Sequence, residues 1–486
     1  MKAKWIVIVA IVLGLALWLA YTSSQDRERM DQARRLAQRQ NSQSETATSE
    51  TKSKSEIDAD LDVLAKRGVG MPLPDDLIFS RVQPEGYWFV GKHEGGSGVE
   101  IPFAPGRQPT PPPELKPLHE NPGYVGPDAC KACHPKMYES FVHTAHYRTS
   151  SRVSEDTIRG RFSEGENVLK TVDKHVKFEM RKRDDQYIQR VQFFDWKFDV
   201  PMDIILGSSK MAQTYLYWHD DQLYQANVTY LTDGDQWINS PGYIDGDAAY
   251  ARPVPERCMD CHMTYFDFRK EPNHYTPDGM IFGVTCERCH GPGKEHVTHH
   301  QQNPDVKQAH AIVLPSELPR DRQLEVCGQC HSGVNNLKNP TFSYRPGDPL
   351  FDHYHRTPDD GTNSVHTSNQ LTRLTASECF QNSQMGCVEC HNPHQNERGQ
   401  NELFSQRCLQ CHNVQACGMH DKVDFDIAEN CIACHMPIRA TKPLRLRSVE
   451  GDVFPPLRDH LIRVDDEATA EYLQSRSQSS EPDAAR

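Results

Sequence analysis

One short pattern, Cys-x-x-Cys-His, accounts for fourteen of the sixteen cysteines in this sequence of 486 residues. Two thiols three residues apart, followed at once by an imidazole, lie on one face of a single helical turn. The pattern occurs seven times, with the following cysteine pairs: Cys130 and Cys133, Cys258 and Cys261, Cys286 and Cys289, Cys327 and Cys330, Cys387 and Cys390, Cys408 and Cys411, and Cys431 and Cys434. We number these motifs from first to seventh.

A turn of this kind can attach one porphyrin covalently, because the two thiols form thioethers with its vinyl groups and the imidazole ligates its iron. Zinc sites also use paired cysteines and exported proteins use disulfides, but neither requires a histidine after every second cysteine. The sequence therefore predicts seven covalently bound haem c groups. Their predicted proximal ligands are His134, His262, His290, His331, His391, His412 and His435.

The distances between the motifs predict how the chain is organised. The gaps from each motif histidine to the next motif cysteine are 123, 23, 36, 55, 16 and 18 residues. Most of these gaps are too short for a separate domain, so we expect a single heptahaem cytochrome c domain over residues 122–463. The long first gap contains alternating apolar residues and a predicted hairpin that turns at Asp220 and Asp221, which indicate a small β-rich insertion over residues 153–250.

The segments outside this domain are predicted to be a membrane attachment, a tether and a tail. Residues 5–21 form an uncharged apolar run after two lysines, at the lower limit for spanning a bilayer. We expect residues 1–22 to be an N-terminal membrane anchor, with a cleaved signal peptide as the alternative. Residues 23–60 are polar and predict a flexible tether. Residues 61–121 are expected to be a proline-rich, partly ordered segment, and residues 464–486 a polar C-terminal tail.

The composition supports this organisation and excludes other classes. Hydrophobic residues make up only 37% of the chain, as expected if porphyrins fill part of the core. The net charge of −13 argues against nucleic acid as a partner. We therefore expect a mainly α fold with long loops, in a multihaem cytochrome c architecture packed around the haems, plus the small β-rich insertion.

Several short stretches around the motifs resemble the cytochrome c-554-like family of multihaem c-type cytochromes. They include Tyr124-Val125-Gly126 before the first motif, and His290-Gly291-Pro292-Gly293 after the third. The stretches His391-Asn392-Pro393-His394 and His435-Met436-Pro437 follow the fifth and seventh motifs in the same manner. The resemblance covers roughly residues 122–463. This family includes both electron carriers and reductases.

The resemblance also implies which histidines supply a second axial ligand. These candidate distal ligands are His146, His296, His394, His420 and His460, and His366 is the next candidate. With seventeen histidines outside the motifs, we expect most irons to have two imidazoles and therefore low potentials. Further histidines stay ambiguous because adjacent candidates cannot all ligate; these are His143, His299, His300, His353 and His355.

Two cysteines, Cys379 and Cys417, lie outside the motifs. In an exported protein such a leftover pair favours a disulfide, with free thiols or an unusual iron ligand as alternatives.

Three functions remain open at this point. The leading hypothesis is an electron carrier on the periplasmic side of the cytoplasmic membrane, between a membrane-linked or quinol-linked donor and a periplasmic redox partner. The second is a multihaem oxidoreductase that acts on a small nitrogen or sulfur compound at a haem with an open coordination position. The third is a haem-bearing docking subunit of a respiratory complex. No Cys-x-x-Cys-Lys variant occurs, which favours the carrier over the enzyme.

Overall fold

The computed structural model describes residues 73–93, 97–269, 273–333, 336–356 and 365–479. The expected anchor over residues 1–22, the tether over residues 23–60 and the first part of the segment 61–121 lie outside these ranges. Within the described ranges, no helix is long and apolar enough to cross a bilayer.

Thirteen strands form a β lobe, the name used here for residues 78–101 and 150–249. The strands are β1 (Ile78–Val82), β2 (Tyr87–Gly91), β3 (Gly98–Ile101), β4 (Ser150–Arg152), β5 (Val168–Lys170), β6 (Val176–Arg183), β7 (Gln186–Phe193), β8 (Trp196–Pro201), β9 (Ile204–Leu206), β10 (Ala212–His219), β11 (Gln222–Leu231), β12 (Gln236–Asn239) and β13 (Ala248–Ala249). They make three sheets with the strand orders β1-β2-β3-β13, β5-β6-β7-β8 and β12-β11-β10-β9-β4.

The β lobe has its own apolar core, and the residue alternation along its strands explains why. In β6, Val176, Phe178 and Met180 are at most 1% exposed, whereas the lysine and glutamate between them face outwards. The hairpin of β10 and β11 turns at Asp220 and Asp221, as its sequence predicts, and Asp220 adopts the left-handed conformation there with φ 52°.

The region before the first motif contributes to this same core. Val90, Val99 and Ile101 are fully buried in one cluster with the residues of β6 to β8. Strand β13 pairs in parallel with β3, with Ala248 opposite Val99. The segment expected to be partly ordered is therefore built into the β lobe from residue 73 onwards.

The motif region consists of short helices joined by loops and three two-stranded sheets. The helices are α1 (Pro127–Lys131), α2 (Pro135–Phe141), α3 (Glu256–His262), α4 (Cys286–His290), α5 (Lys294–Gln302), α6 (Arg320–His331), α7 (Leu350–His353), α8 (Gln370–Thr375), α9 (Glu378–Gln381), α10 (Asn401–Leu409), α11 (Cys431–His435) and α12 (Asp466–Ser479). The remaining strands are β14 (Met263–Phe268), β15 (Tyr275–Phe282), β16 (Ile438–Ala440), β17 (Leu446–Ser448), β18 (Gly451–Val453) and β19 (Pro456–Arg458), which pair as β14-β15, β16-β19 and β17-β18.

The expectation of a mainly α fold is wrong. The structure is 26% helix and 26% strand, so the two contribute equally. The physical reason is that most motif helices last only one or two turns, and a glycine or the start of a strand ends some of them, as at Gly291 and Met263. The β lobe is also larger than a small insertion, because the residues before the first motif join it.

The C-terminal segment begins with a helix. Helix α12 packs against the seventh motif, where the Thr469 hydroxyl contacts the Cys434 thiol. On the neighbouring loop, Phe425 contacts Tyr472 with ring centres 6.0 Å apart, and the Arg476 guanidinium lies 4.6 Å from the Phe425 ring centre. Residues 466–479 therefore cover one side of the seventh motif.

Candidate haem sites

Each motif forms one tight turn, which explains why the spacing of its three side chains is fixed. Four of the motif histidines end a helix: His262 in α3, His290 in α4, His331 in α6 and His435 in α11. In the other three motifs, the backbone N–H of the histidine donates to the carbonyl of the first cysteine. The N···O distances are 2.9 Å at His134, 2.9 Å at His391 and 3.0 Å at His412. Both thiols and the imidazole therefore project from one turn.

All seven motifs line one continuous cavity of about 3770 Å³. Every cysteine and histidine of the seven motifs contributes to its wall. Apolar side chains that would otherwise face solvent also open onto this cavity; Met137, Val388, Ile438 and Val464 are between 48% and 73% exposed. A long apolar cavity lined by paired thiols fits a series of porphyrins, which would cover these side chains.

Four motif histidines lie opposite a second imidazole across the cavity. The facing pairs, with the distances between their ring centres, are His134 and His296 at 6.4 Å, His146 and His331 at 6.2 Å, His290 and His394 at 6.1 Å, and His391 and His460 at 6.0 Å. In three pairs the ring planes are within 24° of parallel, and in the pair of His146 and His331 they are inclined by 64°.

These separations match the geometry of two imidazoles on one metal. A ligating nitrogen lies about 2 Å from a first-row metal and roughly 1.1 Å from the centre of its own ring. Two rings on opposite sides of one iron therefore have centres about 6.3 Å apart. The residues present thus fit haem iron with two axial histidines at four motifs.

The hydrogen bonds of the imidazoles leave the Nε2 atom free to ligate a metal. The Nδ1 atoms of His290, His331 and His435 lie 2.8, 2.7 and 3.0 Å from backbone carbonyl oxygens. Because a carbonyl only accepts, Nδ1 carries the proton and Nε2 has the free lone pair that a metal requires. Among the facing histidines, His296 and His460 donate from Nδ1 in the same manner, at 3.0 and 3.2 Å.

Burial keeps several of these imidazoles neutral, as metal ligation requires. It lowers the pKa of His146 to about 4, with smaller contributions from His331 and His391. It also lowers the pKa of His460 to about 4, assisted by His391. The pKa of His262 is lowered by burial as well, against a hydrogen bond to the Thr149 carbonyl. A neutral imidazole is the ligating form at neutral pH.

Two of the six candidate distal ligands do not face a motif histidine. The Nδ1 of His366 accepts a hydrogen bond from the backbone N–H of Ser368 at 3.1 Å, so in the neutral ring Nε2 carries the proton. His420 lies 2.8 Å from the Asp421 carboxylate and does not line the cavity. Their assignment as ligands stays a prediction.

The ambiguous histidines have other partners. His143 contacts Arg148 at 3.0 Å, His353 contacts Ser343 at 3.1 Å, and His299 stacks on His310 with ring centres 3.9 Å apart. His300 lies 4.6 Å from the His296 ring, and no ring contact is present for His355 within the described ranges. Across the same ranges, no imidazole faces His262, His412 or His435.

The two cysteines outside the motifs are free thiols with different surroundings. The Cys379 thiol donates to the sulfur of Met385 at 3.4 Å and lies near Cys411. Cys417 lies near Cys431 and Cys434 of the seventh motif. The structure thus places the two thiols beside different motifs, and the predicted disulfide is not formed in it.

Thiols of different motifs lie in contact, and these contacts give the order of the motifs in space. The first motif meets the third, the second meets the fourth, and the fourth meets the fifth; the thiol pairs are Cys130 with Cys286, Cys261 with Cys330, and Cys327 with Cys387. Cys289 of the third motif lies near Cys330 of the fourth, and Cys408 of the sixth lies near Cys431 and Cys390. The spatial order is first, third, fourth, fifth, sixth, seventh, with the second as a side branch at the fourth.

The variable residues inside the motifs are functional positions that the sequence did not indicate. Glu287, inside the third motif, is 2% exposed, and its carboxylate accepts three backbone hydrogen bonds, from Val125, Gly126 and Gly293 at 2.7–2.9 Å. Asp260, Arg288 and Gln329, inside the second, third and fourth motifs, are also buried. Porphyrin attachment places no demand on these positions, so no spacing rule could have identified them.

Comparison with known proteins places these sites in a class. A model of the family described as cytochrome c554 and c-prime matches residues 213–291, which include the second and third motifs. The dissimilatory sulfite reductase MccA of Wolinella succinogenes is 20% identical over 382 residues, which are 65% of this chain and 50% of the relative. The outer cell wall cytochrome OcwA has a similar solved structure, with a TM-score of 0.44, 16% identity, and coverage of 71% of this chain and 81% of that one.

The chain is a multihaem c-type cytochrome. It binds haem c covalently. The chain spans about half the length of the sulfite reductase that it matches.

Proposed function

We propose that this chain is an electron-transfer cytochrome with seven haems, one at each motif. The observation that carries the proposal is the set of four facing imidazole pairs along one continuous cavity. An iron with two histidine ligands has no position for a substrate, and its protein shell supplies only spacing, burial and ligation. When bound, the haems supply the one-electron chemistry, and the chain's residues fix their order.

The proposal extends to where the protein works. Residues 1–22 attach the chain to the cytoplasmic membrane, and residues 23–60 let the haem region move on its periplasmic side. Electrons enter from a membrane-linked or quinol-linked donor and leave to a periplasmic redox protein. The apolar run over residues 5–21 and the two lysines before it, Lys2 and Lys4, support this arrangement.

The spin states of the oxidised protein test the proposal. Electron paramagnetic resonance (EPR) of the purified holoprotein is expected to show at least four low-spin haems, because two imidazoles give a strong ligand field. Stopped-flow mixing with a dithionite-reduced quinol analogue is expected to reduce these haems. A spectrum dominated by high-spin haem would contradict the proposal.

A second candidate, an oxidoreductase centred on the second motif, is favoured by a separate observation. No imidazole in the described part of the chain faces His262. Arg252 and Lys210 line the cavity, and no carboxylate among the described residues pairs with either of them. The charge of Arg252 reaches Cys258 of the second motif. A positive wall beside an open axial position suits a small oxyanion, and one relative is named a sulfite reductase.

The two candidate functions predict different responses of the EPR spectrum to added sulfite or nitrite. The oxidoreductase predicts a high-spin haem at the second motif whose EPR signal changes when sulfite or nitrite is added. The substitution Arg252→Gln should weaken that response at least tenfold, whereas Arg159→Gln in the β lobe should leave it unchanged. A fully low-spin spectrum, insensitive to both anions, would exclude the oxidoreductase and leave the carrier.

A further inference from the structure

The variable residues of three motifs form one buried polar cluster. Asp260 is fully buried, Arg288 is 5% exposed and Gln329 is 4% exposed. They occupy the positions between the two cysteines of the second, third and fourth motifs respectively. We call these three residues, together with Arg257 and Tyr354, the junction cluster. It lies where the side branch meets the main series of motifs.

The contacts of the junction cluster link all three motifs directly. Arg288 Nη2 donates to the Asp260 carboxylate and to the Asp260 backbone carbonyl, each at 3.1 Å. Arg257 donates to the other carboxylate oxygen at 2.5 Å, and the Tyr354 hydroxyl donates to that oxygen at 3.1 Å. The Gln329 amide donates to the Arg288 carbonyl, and Arg257 donates to the Gln329 carbonyl, both at 3.0 Å.

The junction cluster lies next to the sulfur atoms that attach the porphyrins. Asp260, Arg288 and Gln329 each immediately precede the second cysteine of their motif. A buried charge acts over such short distances because little water screens it.

We propose that Asp260 and Arg288 are positioning residues that hold the second, third and fourth motifs together and set the relative reduction potentials of their haems. This inference deepens the proposed function, since a side branch delivers electrons only if its potential is matched to that of the main series. Asp260 disfavours reduction of the neighbouring haems, because added negative charge next to a negative charge is costly. Arg288 favours reduction by the opposite effect.

The test is an EPR-monitored redox titration of the holoprotein and its variants. Asp260→Asn removes one negative charge from the junction cluster, so the haems of the second, third and fourth motifs should become easier to reduce. Roughly a tenfold change in the ratio of reduced to oxidised haem at fixed potential is expected, which is about 59 mV for one electron. Arg288→Gln should shift the same haems in the opposite direction.

The opposite signs of the two shifts in reduction potential distinguish an electrostatic role of Asp260 and Arg288 from a merely structural one. Arg288→Lys keeps the charge and should restore potentials close to those of the wild type. The double variant Asp260→Asn with Arg288→Gln keeps a hydrogen bond but removes both charges, so it should fold and also return towards the wild-type potentials. Shifts of the same sign in both single variants, or no shift in a protein with its full haem content, would overturn the proposal.

A matched control is provided by another buried ion pair. Arg373 and Asp459 form two hydrogen bonds at 2.5 and 2.6 Å, with side chains 5% and 1% exposed, beside the facing pair of His391 and His460. Asp459→Asn should change the potential of that haem alone. If the wild type fails to transfer electrons but the two potential shifts of opposite sign occur, the proposed function fails and this inference stands. If the wild type transfers electrons but these shifts do not occur, this inference fails and the proposed function stands.

Discussion

The ring of His331 faces the ring of His146 at 6.2 Å, although His331 belongs to the fourth motif and His146 follows the first. The other facing pairs also join distant parts of the chain, as with His391 of the fifth motif and His460 near the C-terminus. Each such iron would be held between two segments that lie far apart in the sequence. The haems would therefore link distant segments of the tertiary structure as well as serve as redox groups.

Removing one facing histidine should change the spin state of one haem. We expect His146→Ala to convert the haem of the fourth motif from low spin to high spin, because the iron loses its second imidazole. EPR at cryogenic temperature would show one additional high-spin haem per chain. The control is His143→Ala, since His143 contacts Arg148 and faces no motif histidine. An unchanged spectrum for His146→Ala would show that another residue ligates this iron.

The number of haems follows from the number of motifs. We expect the pyridine haemochrome assay to give seven haems per chain, because each motif has both thiols and the imidazole on one turn. The double substitution Cys408→Ala with Cys411→Ala should lower this number by one. The matching change of Cys379 and Cys417 to alanine should leave it at seven, and a lower count there would implicate these thiols in haem attachment.

The hydrogen bonds of the Glu287 carboxylate should contribute to stability. Glu287→Gln replaces a carboxylate that accepts three backbone hydrogen bonds with an amide that has one acceptor oxygen. Burial raises the pKa of the Glu287 carboxyl and offsets part of this gain, so we expect a loss of about 1 kcal/mol in the free energy of unfolding, measured with guanidinium chloride. Glu139→Gln, at an exposed position of α2, should change it by less than about 0.5 kcal/mol. Equal effects of the two substitutions would contradict this role.

The stability of the β lobe should decrease as the pH rises from about 4 to about 6. Burial raises the pKa of Asp203 from 3.8 to about 6, against a hydrogen bond from the Trp218 backbone N–H and the charge of Arg152. The folded state therefore binds more protons than the unfolded state in this range, so deprotonation costs up to about 3 kcal/mol of stability above it.

Two variants isolate this effect. Asp203→Asn should remove this contribution to the pH dependence and raise the unfolding temperature at pH 7, as measured by far-ultraviolet circular dichroism. At Asp199, burial raises the pKa but hydrogen bonds from Arg190 and Arg183 lower it overall, so its charge is stabilising. Asp199→Asn should therefore lower the unfolding temperature at pH 7. If Asp199→Asn instead raised the unfolding temperature, the stabilising role of the Asp199 charge would be contradicted.

The sequence predicted the local chemistry of this protein better than its architecture. The spacing inside each motif is a property of one helical turn, so the motif residues could be placed from the sequence alone. The strands of the β lobe between residues 150 and 249 show the alternation expected of half-buried strands. The sequence of strand β3 does not indicate its partner strand, because its parallel pairing with β13 joins residues about 150 positions apart.

The sequence alone could not assign the candidate second axial ligands to individual motifs. His146, His296, His394 and His460 face motif histidines, but which motif each one faces depends on loop paths that no spacing encodes. His366 does not face a motif histidine, and its Nδ1 accepts a hydrogen bond from the backbone N–H of Ser368. The junction cluster was not predicted because its residues lie inside motifs where attachment chemistry permits any side chain.

The distance along the chain between His391 and His460 has a consequence for how the haem region is assembled. An iron held by these two imidazoles would join two segments that lie 69 positions apart. A variant that ends before His460 would leave that iron with one imidazole, in the middle of the series of motifs.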